Sequence, residues 1–218
     1  MSKAAGTDRF AFERPLWQSG LARVAGVGEA GRGPLARPVV AAAVIFPPAW
    51  LEQGMPPGLE ELNDSKQVSP AQRECFFDLL QGRSEIGFAI GQVDASTIDQ
   101  LNILQATHRA MNPALEQLQP PPQHVLVDGL RVGSIRFPQT AIVKGDALSF
   151  SIAAASILAK VTRDRLMLEF DQQWPVYGFA AHKGYGTGQH LAAIARHGPC
   201  PIHRRSFAPL KPRPPELF

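Results

Sequence analysis

Two kinds of hydrophobic spacing share this chain. Runs rich in Val, Ile and Ala, bounded by Gly and Pro, predict strands at 24–27, 38–46 and 86–93. Two shorter apolar runs, 125–127 and 140–143, each lead into an acid beside a glycine: Asp128-Gly129 and Gly145-Asp146. Other stretches carry helical spacing. From Thr97 to Leu118 the residues Ile98, Leu101, Leu104, Met111, Leu115 and Leu118 lie three, four or seven apart and form one apolar face. Pro113 falls inside that stretch, and an interior proline costs ~3 kcal/mol, so a kink or an early end near Met111 is expected. Ser69-Pro70-Ala71-Gln72 has the residues of a capping box and starts a helix that runs to about Leu80. A further helix is predicted from Ser149 to about Phe170, its Ala153-Ala154-Ala155-Ser156 start small enough to pack closely on a sheet. A glycine-rich loop at 184–188 precedes a short helix, Gln189–Arg196.

The predicted order is strand, strand, helix, strand, helix, strand, strand, helix, helix. Short links between the first strands and a helical crossover before the fourth predict an α/β sheet, part antiparallel and part parallel. With 218 residues the chain can bury a full core without disulfides or a structural metal. The expected division is an N-terminal extension at 1–20, a single α/β domain with its C-terminal helices at 21–208, and a Pro-rich tail at 209–218.

Composition narrows the function classes. No apolar run approaches the ~20 residues of a membrane span, and residues 1–15 lack the apolar core of a secretory signal. A cytoplasmic location without membrane association is therefore expected, and Cys75 and Cys200 are expected to be reduced thiols. The net charge is only +3, but its distribution is uneven. Between His182 and Arg213 stand Lys183, Arg196, Arg204, Arg205, Lys211 and Arg213, with no Asp or Glu. Such a surface suits a polyanion, and equally a solvated terminal face.

Gly26-x-Gly28-x-x-Gly31 matches a dinucleotide-binding fingerprint, with Glu52 roughly 20 residues on where a ribose-binding acid is sought. That chemistry needs a helix opening at the turn to meet the pyrophosphate. Here Arg32-Gly33-Pro34-Leu35-Ala36-Arg37-Pro38 leads into another strand, which contradicts it and ranks a dinucleotide-dependent oxidoreductase third. His197, Cys200 and His203 have metal-like spacing, but Pro199 and Pro201 stiffen the run and no fourth ligand accompanies them, which argues against zinc.

A series of blocks, in order, resembles type 2 ribonuclease H (ribonuclease HII). They are Ala25-Gly26-Val27 with Glu29-Ala30-Gly31-Arg32-Gly33-Pro34-Leu35, then Leu62-Asn63-Asp64-Ser65-Lys66, Asp99 to Thr107, and Val127-Asp128-Gly129. Val143-Lys144-Gly145-Asp146, Ala153 to Asp164, Tyr177-Gly178-Phe179, His182 to Thr187 and His203-Arg204-Arg205-Ser206-Phe207 complete the series. The resemblance implies a ribonuclease H-like fold: a five-stranded mixed sheet, three strands antiparallel and two parallel, flanked by helices, with a C-terminal helical part. It implies cleavage of RNA in RNA–DNA hybrids and incision 5′ of single ribonucleotides in duplex DNA, with no obligate protein partner.

The same resemblance assigns Glu29, Asp128 and Asp146 as catalytic metal ligands for two Mn²⁺ or Mg²⁺ ions. Carboxylates suit such hard cations, and two ions ~4 Å apart can clamp an in-line phosphoryl displacement. At Gly28 the family has a fourth acid, an Asp. The glycine brings neither charge nor ligand, so weaker ion binding and severely reduced cleavage are expected, unless Asp64 or Asp164 compensates. The alternative is an inactive protein that still binds hybrids. Gly31, Arg32 and Gly33 correspond to a turn that senses the 2′-hydroxyl, and Tyr185 to a sugar-stacking residue. Ser65, Lys66 and Lys144 are candidate phosphate contacts, as are Arg204 and Arg205. Arg37 departs from the small residue usual there.

Overall fold

The computed structural model describes residues 8–211. Most of the expected Pro-rich tail, 212–218, lies outside the described residues. In chain order the elements are α1 (Glu13–Gln18), β1 (Val24–Ala30), β2 (Val39–Ile45), α2 (Trp50–Gln53), α3 (Pro70–Gln81), β3 (Gly87–Val93), α4 (Ala95–Leu101), α5 (Ile103–Glu116), β4 (His124–Asp128), β5 (Gln139–Ile142), α6 (Gly145–Leu148) and α7 (Phe150–Gln173). A 3₁₀ turn (Pro175–Tyr177), α8 (Phe179–His182) and α9 (Gly188–His197) follow.

The strands form one sheet in the order β3-β2-β1-β4-β5. β1, β2 and β3 pair antiparallel, and β4 and β5 join them in parallel. This is the expected mixed sheet. β2 is buried along almost its whole length, as a central strand covered on both faces must be. α7 packs on one face and α5 on the other. Glycines in the strands permit this close seating. A Cβ on Gly26 would lie 2.2 Å from the Ser151 carbonyl carbon of α7, and one on Gly91 2.2 Å from the Ala110 carbonyl oxygen of α5.

The helix predicted over 97–118 is two helices. The break is at Asn102, not at Pro113: Asn102 takes a left-handed φ of 76° and its side chain accepts from the Gln105 amide at 3.1 Å. Asp94 caps α4 by accepting from the Thr97 amide at 2.8 Å. Pro113 stays inside α5, where its ring lies over Gly91. The capping box at Ser69 and Gln72 is present in α3.

Residues ahead of β1 fold onto the domain. Phe10 and Trp17 are buried. Glu13 is fully buried and accepts from the hydroxyls of Ser149 and Ser151, each at 2.6 Å, which joins α1 to the first turn of α7. Burial raises its carboxyl above the ordinary range. A separate apolar cluster around Met167, Tyr177 and Phe179 holds the C-terminal helices against α7. Among the described residues, no helix is long and apolar enough to cross a membrane.

Candidate active site

Parallel pairing of β1 with β4 sets Val27 opposite Val127, so the next residues, Gly28 and Asp128, lie side by side. Alternation turns Gly28 toward α7 and Glu29 toward the other face. The chain then leaves β5 and turns through Lys144, at a left-handed φ of 58°, into the short α6 that carries Asp146. The Gly145 amide donates to Asp128 Oδ1 at 2.8 Å, fixing the β4 carboxylate against this turn. Glu29, Asp128 and Asp146 thus come to one cleft of about 390 Å³, which Ser65, Lys66, Arg32 and Tyr185 also line.

The electrostatics are those of an under-neutralised site. Burial raises Glu29 above the usual carboxylate range, with Arg32 opposing the shift and Asp128 adding to it. Asp146 is raised by burial and then by Asp128 and Asp64, against the pull of Lys66. The available countercharges are loose. Arg32 Nη1 stands 3.5 Å from Glu29 and Lys66 Nζ 3.7 Å from Asp146. Oxygen donors and mutual repulsion suit a hard cation. Among the described residues, no three acidic, His or Cys side chains enclose a single ion as they stand. The donor chemistry fits a divalent ion, and the coordination shell falls short of closed.

Gly28 lies beside Asp128 and brings no side chain to this cleft. A Cβ built there would meet Ser156 Oγ at 2.3 Å and the Ser156 backbone nitrogen at 2.9 Å. The room a side chain would need is filled by α7 itself. Asp164 is engaged by Lys160 at 2.8 Å, one turn away on α7. Asp64 reaches the site's edge, 3.9 Å from Lys66 and close enough to Asp146 to affect its proton.

The Gly31–Arg37 loop forms the opposite wall. Gly31 has φ 95° and no room for a Cβ, which would lie 2.2 Å from Arg163 Nε. Gly33 faces the ring of Tyr185, whose Cε1 would be 3.8 Å from an added Cβ. Arg32 and Tyr185 are exposed at the mouth of the cleft. Lys66 and Lys144 are exposed as well. Ser65 is buried, its carbonyl accepting from Arg73 at 2.7 Å. Arg205 is exposed, and its amide donates to Asp99.

Arg204 does not reach a duplex. It is fully buried, and its guanidinium donates to main-chain carbonyls of the 31–37 loop. The basic run that suggested a polyanion contact gives no hint of this, because residue type alone does not separate an exposed arginine from one tying a loop. Sequence reasoning also passed over Ser156, Lys160 and Arg163, which line the cleft. Their spacing of four and three on a helix was the available signal.

Arg37 is buried with a left-handed φ of 86° and its guanidinium against Phe170. Its Nε and Nη2 have no partner, and burial lowers its pKa to about 9. His203 meets Cys200 and His190 rather than His197: its Nε2 is 3.0 Å from His190 Nε2 and its Nδ1 3.1 Å from Cys200 Sγ.

Comparison with known proteins agrees with this architecture. Residues 25–210 match the family model described as Ribonuclease HII. A Ribonuclease HII from Geobacter metallireducens is 54% identical over 200 residues, 92% of this chain and 90% of that protein. The solved ribonuclease H2 of Pyrococcus horikoshii OT3 superposes with a TM-score of 0.71 at 28% identity, covering 86% of this chain and 95% of that one. Bst-RNase HIII in complex with Mn²⁺ shares the fold, with a TM-score of 0.68 at 18% identity over 97% of this chain and 74% of its own.

Proposed function

The chain belongs to the ribonuclease HII family, and from that premise we propose that it cleaves the RNA strand of RNA–DNA hybrids and incises duplex DNA 5′ of single ribonucleotides, at a rate strongly reduced by Gly28. The observation that carries this reading is the meeting of Glu29, Asp128 and Asp146 in one cleft, with Arg32 and Tyr185 at its mouth.

Glu29, Asp128 and Asp146 would hold Mn²⁺ or Mg²⁺, the divalent ion supplying an activated water and charge neutralisation at the phosphate and the leaving 3′ oxygen. The protein's own groups do the rest. Backbone of Gly31 and Gly33, free of side chains, can approach a ribose 2′-hydroxyl. Arg32 faces the phosphate that follows, and Tyr185 offers its ring to the sugar. Lys66, Lys144, Ser65 and Arg205 would position the flanking backbone. The products would carry a 3′-hydroxyl and a 5′-phosphate.

Gly28 sets the level of activity. Three carboxylates facing two dications leave the site short of one charge and one donor, and Ser156 Oγ, which occupies the space, supplies no charge. That same observation favours a second reading, a hybrid-binding protein without turnover. A duplex with one embedded ribonucleotide separates the two. Slow, Mn²⁺-dependent incision supports the nuclease; salt-sensitive binding with no incision at high Mn²⁺ supports the binding protein. Absence of both binding and incision would sink either reading.

A further inference from the structure

The 31–37 loop points several of its carbonyls inward, and four of them converge on a single side chain. Arg204 Nη2 donates to Gly31 O at 2.5 Å and to Arg37 O at 2.6 Å. Its Nη1 donates to Arg32 O at 2.9 Å and Pro34 O at 2.8 Å, and its Nε to Arg37 O at 2.9 Å. Among the described residues no carboxylate forms an ion pair with it. Burying a cation without a counter-ion is costly, and here every nitrogen of the guanidinium serves one loop.

Arg163 supports the same loop from α7. It is also buried, and donates to Pro38 O at 3.3 Å, Ala36 O at 3.2 Å and Lys183 O at 3.1 Å. The last bond ties the loop to the segment that leads into Tyr185. The Leu35 amide reinforces the link by donating to Gly184 O at 2.8 Å. Both arms of the recognition surface are therefore held from beneath by groups that the solvent does not reach.

We propose that Arg204 is a specificity-positioning residue: its fork fixes the curvature of Gly31-Arg32-Gly33, so that discrimination of ribose from deoxyribose depends on a side chain that touches neither. This rests on the functional reading above. Geometry, not charge, carries the effect. A lysine keeps the cation, but its three donors radiate from one point and cannot span four carbonyls.

The test is the ratio of affinities for two duplexes of one sequence, one with a single ribonucleotide and one all-DNA, measured by fluorescence anisotropy in Ca²⁺. Any loss of folded protein cancels in that ratio. The unmodified chain should prefer the ribonucleotide duplex. Arg204→Lys and Arg204→Met should both lower the preference by about tenfold, the factor one hydrogen bond to the sugar is worth. An unchanged ratio in Arg204→Lys overturns the proposal and leaves the functional reading intact. A ratio of one in the unmodified chain overturns both. Hydrogen exchange on the unmodified chain gives a second measurement that needs no variant. The Leu35 and Arg37 amides should exchange as slowly as the core, and free-loop rates there would refute the clamp.

Discussion

Placing a carboxylate at residue 28 should cost stability and, on the proposed reading, raise activity. In Gly28→Asp the new Cβ lies 2.3 Å from Ser156 Oγ, which can rotate away. It also lies 2.9 Å from the Ser156 nitrogen and 3.1 Å from its Cα, which can yield only if α7 retreats. Overpacking of this kind costs ~1–3 kcal/mol. The new side chain starts one strand spacing, about 4.8 Å, from Asp128, and its charge adds roughly 1–3 kcal/mol of repulsion at a partly screened site. The sum, on the order of 2–6 kcal/mol, lowers the melting temperature by about 4–24 °C in EDTA for a domain of this size. Mn²⁺ should reverse much of that, since a ligand at a hundred times its Kd contributes about 2.7 kcal/mol. Cleavage of a single-ribonucleotide duplex should rise by ~100-fold or more, as several kcal/mol of transition-state stabilisation return. Melting curves with and without Mn²⁺, beside initial rates, read both effects. If the variant melts with the parent in EDTA, the tight α7 contact is wrong; if it also cuts no faster, Gly28 is not the cause of a weak site.

Other outcomes follow from particular residues. Arg37→Gly relieves the strain of a left-handed φ and removes two buried nitrogens without partners, at some loss of packing on Phe170; it should stabilise by about 1–3 kcal/mol, visible as a higher melting temperature. His203 is held neutral by burial and by His190, its pKa lowered to about 4. Its folded form therefore refuses a proton that the unfolded chain accepts near pH 6.5. Stability should fall by on the order of 2 kcal/mol between pH 6.5 and 4, and His203→Gln should flatten that part of a urea-denaturation profile. Tyr185→Ala should weaken binding to the ribonucleotide duplex by about tenfold while leaving melting within ~1 kcal/mol of the parent, because the ring is exposed.

Much of the sheet was legible because β1, β2 and β3 keep apolar runs bounded by Gly and Pro, and because Asp128 and Asp146 follow such runs directly. The break at Asn102 was not. A left-handed residue that caps the helix after it satisfies the apolar spacing on both sides, so periodicity runs through it unmarked. Pro113 misled for another reason: its ring seats over Gly91, a residue more than twenty positions earlier, a contact that the local pattern does not show. At the site, the family resemblance nominated the acids, and their places after apolar runs agreed with it; residue type alone would not have separated them from surface carboxylates. It could not show that the helix closes over Gly28, or that Arg204 lies beneath the loop, since both depend on packing between distant segments.

α7 is one beam of 24 residues, roughly 36 Å long at 1.5 Å per residue. Glu13 grips its first turn, Ser156 floors the acidic cleft, and Arg163 reaches the segments that carry Arg32 and Tyr185. The proposed ion site and the proposed ribose-sensing loop therefore share one support. Changes that widen one compartment will retune the other, and substitutions at residues 28 and 163 should combine non-additively although neither side chain needs to touch the other.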